Sequence, residues 1–216
     1  LLDSDNEALH LSSVACFEMD ELMQTPSAVA PVITYLFHRL EDRFDGKPTL
    51  LILDEAWLFL DNPMFAARIR EWLKTLRKKN VAVVFATQSL ADIDRSSIAP
   101  ALVESCPTRI FLPNERALEP QSRETYERFG LNARQIEIIS RAAPKQDYYY
   151  QSPLGCRLFD LELGPIGLAL CGSSSPEDQK LIDRTLADAA PTDFAETFLH
   201  TKGLPWAGDL LGLWPG

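Results

Sequence analysis

Leu50-Leu51-Ile52-Leu53-Asp54-Glu55 sets four consecutive aliphatic residues before two adjacent acids. An unbroken apolar run marks a strand buried on both faces in a parallel sheet, and open α/β sheets bind ligands beyond the carboxyl ends of their strands. An acid pair at that end reads as a Walker B strand, with Asp54 holding Mg²⁺, usually through water, and Glu55 orienting or deprotonating an attacking water. The same residues also read as a strand running into a helix that begins with favourable acids. The flanking sequence has to decide between the two.

Upstream, Val29, Val32, Ile33, Leu36, Leu40 and Phe44 recur at helical spacing as far as the Asp45-Gly46 stop. Before them, residues 10–19 form a first expected strand centred on Val14-Ala15-Cys16-Phe17. Downstream, Asn62-Pro63 supplies a cap with proline at the first helical position. Phe65, Ile69, Trp72, Leu73 and Leu76 then form one stripe that ends in the basic run Arg77-Lys78-Lys79. Val81 to Ala86 is a third strand, as aliphatic as the second. This alternation predicts an α/β fold with a mostly parallel sheet covered by helices on both faces.

Residues 98–104 read as a short helix and 108–112 as a fourth strand. Helices follow over 120–129 and 133–141, with Gly130 between them. Segments 145–151, 156–163 and 167–170 are short and partly alternating, which predicts an antiparallel extension of the sheet. Ser175-Pro176-Glu177-Asp178 opens another helix, and a last one spans 193–200. Residues 1–189 are expected to belong to the α/β domain and 190–216 to a helical and irregular tail, where Trp206 and Trp214 need a surface on which to dock.

Asp20-Glu21 is a competing acid pair, but Glu18 interrupts the approach and Thr25-Pro26 follows closely, so a helix start explains it better. The stronger companion to Asp54-Glu55 is Ala86-Thr87-Gln88-Ser89, directly after the next aliphatic strand. A glutamine there has both a donor and an acceptor to contact a γ-phosphate and the attacking water, and Thr87 beside it is expected to contact the nucleotide. Arg77 has the planar fork suited to transition-state phosphate charge on a neighbouring subunit, although a basic helix end also serves simply to complement the helix dipole. Arg109 is a second candidate for that finger. Gly46-Lys47-Pro48-Thr49 is a turn: Pro48 removes a needed N–H, and the segment precedes a strand where a G-x-x-x-x-G-K-[ST] loop opens a helix.

With 31 acids against 21 bases, the net charge of -10 opposes a phosphate backbone, so direct nucleic-acid binding is not expected. The exception to weigh is the cluster Arg68, Arg70, Lys74, Arg77, Lys78 and Lys79. Cys16, Cys106, Cys156 and Cys171 are too scattered for a zinc site or a disulfide frame and read as free thiols of a reducing compartment. No apolar run is long enough to span a bilayer.

Several stretches together resemble the carboxyl-terminal part of the VirB4/TrbE ATPases of bacterial type IV secretion and conjugation systems. They are Arg39-Leu40-Glu41-Asp42-Arg43-Phe44-Asp45-Gly46, Leu51-Ile52-Leu53-Asp54-Glu55-Ala56-Trp57, Trp72-Leu73-Lys74-Thr75-Leu76-Arg77-Lys78-Lys79-Asn80, Ala86-Thr87-Gln88-Ser89 and Ile110-Phe111-Leu112-Pro113-Asn114. Tyr126 to Leu131 and the stretch from Gly164 continue the likeness to about Ala189.

The resemblance implies a RecA-like core of the FtsK/HerA group, a homo-hexamer, and hydrolysis of ATP with Mg²⁺ at subunit interfaces. It also implies a peripheral place on the cytoplasmic face of the inner membrane, with other secretion components as partners and pilus assembly or substrate transfer as the work done. Asp54 and Glu55 take the Walker B positions, Gln88 the sensor position, and Arg77 the position of an arginine finger. The Walker A loop is expected ahead of Leu1, so the isolated chain is expected to be inactive. Two other readings are an assembly or scaffold module of the secretion machine and a DNA-translocating motor of the same fold group.

Overall fold

The computed structural model describes residues 13–19, 22, 24–55, 60 and 62–212. Asp20-Glu21, Ala56-Trp57 and Trp214 lie outside the described residues. The chain divides into two compact units: residues 1–142 with 149–157, and residues 143–148 with 158–216. The expected boundary after Ala189 falls inside the second of these.

In the first unit, helix α1 (Pro26–Glu41) is followed by strand β1 (Thr49–Leu53), helix α2 (Pro63–Thr75), a 3₁₀ turn (Leu76–Lys79) and strand β2 (Val81–Phe85). Asn62 caps α2 by accepting a hydrogen bond from the Met64 N–H at 3.0 Å, which satisfies an otherwise orphaned donor ahead of Pro63. The two helices meet through aromatic rings. Phe37 lies against Phe65 (5.7 Å between centroids) and Trp72 (4.6 Å), and Phe44 makes an edge contact with Trp72 at 5.8 Å. The indole N–H of Trp72 donates to Glu41 at 2.5 Å, so the polar tip of a buried side chain is satisfied where the helices join.

Strands β1 and β2 are parallel neighbours in the register Thr49↔Val81 to Leu53↔Phe85, as the sequence pattern predicts. Burial departs from the expectation. Leu51 and Leu53 are 9% and 6% exposed, but Leu50 and Ile52 are 61% and 59% exposed, so the described residues cover one face of the strands and leave the other open. The alternation follows from the two-residue period of a strand with packing on one side. The strand expected over 10–19 is also corrected. The described part, 13–19, has irregular backbone, its apolar centre is brief, and Glu18 interrupts it.

The unit continues with α3 (Leu90–Arg95), α4 (Ala99–Ser105), β3 (Arg109–Phe111), a 3₁₀ turn (Glu115–Leu118), α5 (Pro120–Arg128) and α6 (Ala133–Arg141). Gly130 ends α5 at φ +84°, a conformation that glycine adopts without strain. β3 does not extend the parallel pair. It lies antiparallel to β4 (Asp147–Ser152), with Phe111 opposite Tyr149, in a sheet of order β3-β4-β5 completed by β5 (Gly155–Asp160). Three residues between Pro107 and Pro113 allow a short ladder, and Phe111, Tyr126, Ile136, Ile139 and Tyr149 bury the face it offers. The division between the units runs through the β4–β5 hairpin.

In the second unit, α7 (Gly164–Cys171) replaces a strand expected at 167–170. Pro165 sits at the first helical position, and a short apolar run does not by itself distinguish strand from helix. α8 (Pro176–Asp188) begins with a reciprocal capping box between Ser175 and Asp178. α9 (Phe194–Thr201) and α10 (Pro205–Gly212) pack together over Phe198, Leu199 and Ala207.

Candidate nucleotide-hydrolysis site

The parallel ladder places the acid pair beside the glutamine. Past the last paired residues, the Ala86 N–H donates to the Leu53 carbonyl at 3.0 Å, which holds the end of β2 against the end of β1. The next residues on each chain are Asp54-Glu55 and Thr87-Gln88. Asp54 Oδ1 accepts from the Glu55 N–H at 3.0 Å, and Glu55 adopts φ +49°, a left-handed conformation that is uncommon outside glycine and characteristic of strained functional sites. In that conformation its carboxylate accepts a hydrogen bond from the side-chain amide of Gln88. The Thr87 hydroxyl donates to the Ser89 carbonyl at 3.2 Å and accepts from the Ser89 N–H at 3.3 Å, closing a local turn next to Gln88.

The assembled groups are two carboxylates, a primary amide and a hydroxyl. Glu55 is half-buried, while Asp54 and Gln88 are exposed. Oxygen donors of this kind suit Mg²⁺, which keeps much of its water and is held by one or two carboxylates plus substrate phosphates. Asp54 is the residue placed to hold it. With its N–H₂ on Glu55, Gln88 still has a carbonyl oxygen that can accept from a water beside the same carboxylate.

Arg77 is not brought into this group. It lies in the 3₁₀ turn before β2 and lines an open groove with Pro48, Thr49, Leu50, Asn80, Val81 and Ala82, at the amino ends of the strands. Five strand residues separate the two ends, about 16 Å at 3.3 Å per residue. Asn80 makes the reversal: it takes φ +60°, its side chain donates to the Gly46 carbonyl at 3.2 Å, and its own carbonyl accepts from the Thr49 N–H at 3.1 Å. Sequence pattern assigns this asparagine no role, although Asn is the side chain after Gly that best tolerates a left-handed helix end.

Arg109 is committed elsewhere. It donates to the Phe129 carbonyl at 2.8 Å and to the Val103 carbonyl, tying the ends of α5 and α4 to β3. Burial pushes the nearby Cys106 thiol up, against the opposing pull of Arg109. The basic cluster is also partly spent on internal contacts. Arg68 pairs with Glu71 at 3.1 Å and Glu41 at 3.4 Å, and Arg70 donates to the Ser97 carbonyl. Helix α3, which the sequence pattern does not announce, is held by a forked pair between Asp94 and Arg128 of α5.

Comparison with known proteins follows the same lines. The family model of the TraG P-loop domain matches residues 1–151. The conjugal transfer protein TrbE of Rhizobium radiobacter is 52% identical over 211 residues, covering 97% of this chain and 26% of that protein. A probable conjugal transfer protein TrbE of Sinorhizobium fredii is 50% identical over 99% of this chain and 32% of its own length. The type IV secretion system protein virB4 of Bartonella quintana is 36% identical over 64% of this chain and 18% of its own. The chain thus spans about a quarter to a third of the two TrbE relatives. The solved structure of VirB4 of Thermoanaerobacter pseudethanolicus matches with a TM-score of 0.50 at 19% identity, over 63% of this chain and 37% of that one.

Together these define the class as a P-loop domain of RecA-like α/β fold. The chain belongs to the TraG P-loop domain family and is similar along most of its length to the TrbE and virB4 proteins of conjugation and type IV secretion. No described helix is long and apolar enough to cross a membrane.

Proposed function

We propose that these residues form the hydrolytic side of an ATPase motor that powers type IV secretion or conjugative transfer and pilus assembly. Glu55 activates the attacking water, Asp54 holds Mg²⁺ through water, Gln88 senses the γ-phosphate, and Thr87 contributes to the nucleotide contact. Arg77 serves the site of the adjacent subunit in a hexamer of the FtsK/HerA group. That hexamer acts on the cytoplasmic face of the inner membrane with other secretion components, and the carboxyl-terminal helices form its tail. The observation that carries the reading is the hydrogen bond from Gln88 to Glu55 at adjoining strand ends, because it couples a γ-phosphate sensor to the base.

A phosphate-binding loop of the form G-x-x-x-x-G-K-[ST] does not occur in these 216 residues. ATP and Mg²⁺ therefore bind tightly when a longer chain supplies that loop. The test is ATP turnover by a protein carrying the loop together with these residues, with and without Glu55→Gln, beside the 216-residue chain alone. Turnover by the longer protein that Glu55→Gln abolishes, with negligible turnover by the short chain, supports the reading. Turnover by the short chain that Glu55→Gln removes would show that the cradle is not needed.

A further inference from the structure

The last two helices carry a cluster remote in sequence from the strand-end site. Glu196 and His200 lie four residues apart on α9, hence on one face, and Asp209 reaches them from α10. One potential ligand atom from each of the three lies within 4.8 Å of the others. His200 Nε2 is 3.1 Å from Asp209 Oδ1. We propose that Glu196, His200 and Asp209 form a binding site for a first-row divalent transition-metal ion, which clamps α10 onto α9.

Two features favour a site over a chance surface cluster. The first is chemical. Nε2–H of one imidazole can serve one carboxylate well, yet two carboxylates converge on it, and two anions this close repel unless a cation lies between them. A dication answers all three groups at once, taking the imidazole nitrogen and two carboxylate oxygens and leaving positions for water. The imidazole favours Zn²⁺, Ni²⁺ or Co²⁺ over Mg²⁺ and Ca²⁺, while the absence of a thiolate among the three disfavours Cu(I).

The second feature is steric. Gly203 at φ +79° turns the chain from α9 to α10, and Gly208 is pressed against α9 so closely that a Cβ there would stand 2.3 Å from His200 Cδ2 and 2.9 Å from the Glu196 carbonyl oxygen. Phe198, Leu199 and Ala207 are buried beneath the contact. Backbone packing therefore fixes the spacing of the three ligands before any ion arrives, and such preorganisation lowers the cost of binding.

The experiment is titration of the 216-residue chain with Co²⁺ and with Zn²⁺, after alkylation of its thiols so that cysteine does not compete. Binding is followed by calorimetry and by the visible d–d bands of Co²⁺. One equivalent is expected to bind, undisturbed by equimolar Mg²⁺. His200→Ala, Glu196→Gln and Asp209→Asn should each weaken binding by at least roughly tenfold. The two isosteric amide variants should retain the far-ultraviolet circular dichroism of the parent, which separates loss of a ligand from loss of the fold. Gly208→Ala keeps every ligand yet forces the helices apart, and should also weaken binding. Absence of saturable binding, or an isotherm unchanged by any one of the three ligand substitutions, overturns the proposal.

Discussion

The side-chain amide of Gln88 donates to the carboxylate of Glu55, joining the ends of two parallel strands that are 33 residues apart in sequence. The pairing makes the two residues one unit, so their substitutions should not be additive. In a protein that also carries the phosphate-binding loop, Glu55→Gln is expected to lower ATP turnover by about 10²–10⁴-fold while nucleotide binding persists. Gln88→Glu would set a second carboxylate against the first, favouring retention of a proton by one of them, and should shift the rising limb of the pH–rate profile upward. Steady-state turnover across pH, beside fluorescent-nucleotide binding, checks both.

Asn80 holds the reversal between the 3₁₀ turn and β2 in the left-handed conformation while its side chain bonds the Gly46 carbonyl. Asn80→Ala loses that bond and meets a left-handed cost of about 1–2 kcal/mol. Asn80→Gly removes the bond alone, for about 1 kcal/mol. Urea unfolding of both variants should rank them in that order; equal losses would assign the whole effect to the hydrogen bond.

Trp72 is almost fully buried, contacts Phe37 and Phe44, and gives its N–H to Glu41. Trp72→Ala should cost about 3–5 kcal/mol through the cavity it leaves. Trp72→Phe keeps most of the packing and should cost about 1–2 kcal/mol for the lost hydrogen bond. Chemical denaturation followed by circular dichroism distinguishes the two, since fluorescence changes with the substitution itself.

The strand-end group was legible because each member follows an aliphatic run: Leu50 to Leu53 before Asp54-Glu55, and Val81 to Phe85 before Thr87-Gln88. Local pattern fixed both the strand and the side chain at its end. Asn62 and Ser175 announced their helices for a similar reason, since caps act on N–H groups two or three residues away. What was not legible depended on distant partners. Leu50 and Ile52 are as apolar as Leu51 and Leu53, so composition alone could not say that one face would be open. Arg109 reads as a mobile cation in sequence, but its fate is set by carbonyls at Val103 and Phe129. Gly167 to Leu170 has too few residues for periodicity to separate helix from strand, and Pro165 was the cue that decided it.

Four surface carboxyls bear on acid stability. The Lys47 N–H holds Asp45 below its ordinary value, Arg116 does so for Glu119, Arg134 for Glu137 and Lys202 for Asp178. A folded-state value below the unfolded one gives a contribution that is fully present above the unfolded pKa and is lost as pH falls through the folded one. The urea midpoint should therefore stay nearly level from pH 7 to about 5 and decline below about pH 4. Because these pairs lie at the surface, added salt should shallow the decline. A midpoint that rises on acidification would contradict these shifts.

Arg77 and Glu55 lie at opposite ends of the strand pair, so one chain cannot bring both to the same phosphate. If Arg77 acts, it acts on a neighbouring subunit, and complementation can detect this. In the full-length assembly, Arg77→Ala and Glu55→Gln should each abolish turnover when every subunit carries the change. When the two variants are mixed and reassembled, some interfaces pair an intact Glu55 from one subunit with an intact Arg77 from the other. Those interfaces should recover part of the activity that neither variant has alone. A mixture as inactive as its components, with reassembly verified by mass, would place Arg77 outside the catalytic interface and leave it as the basic end of its helical turn.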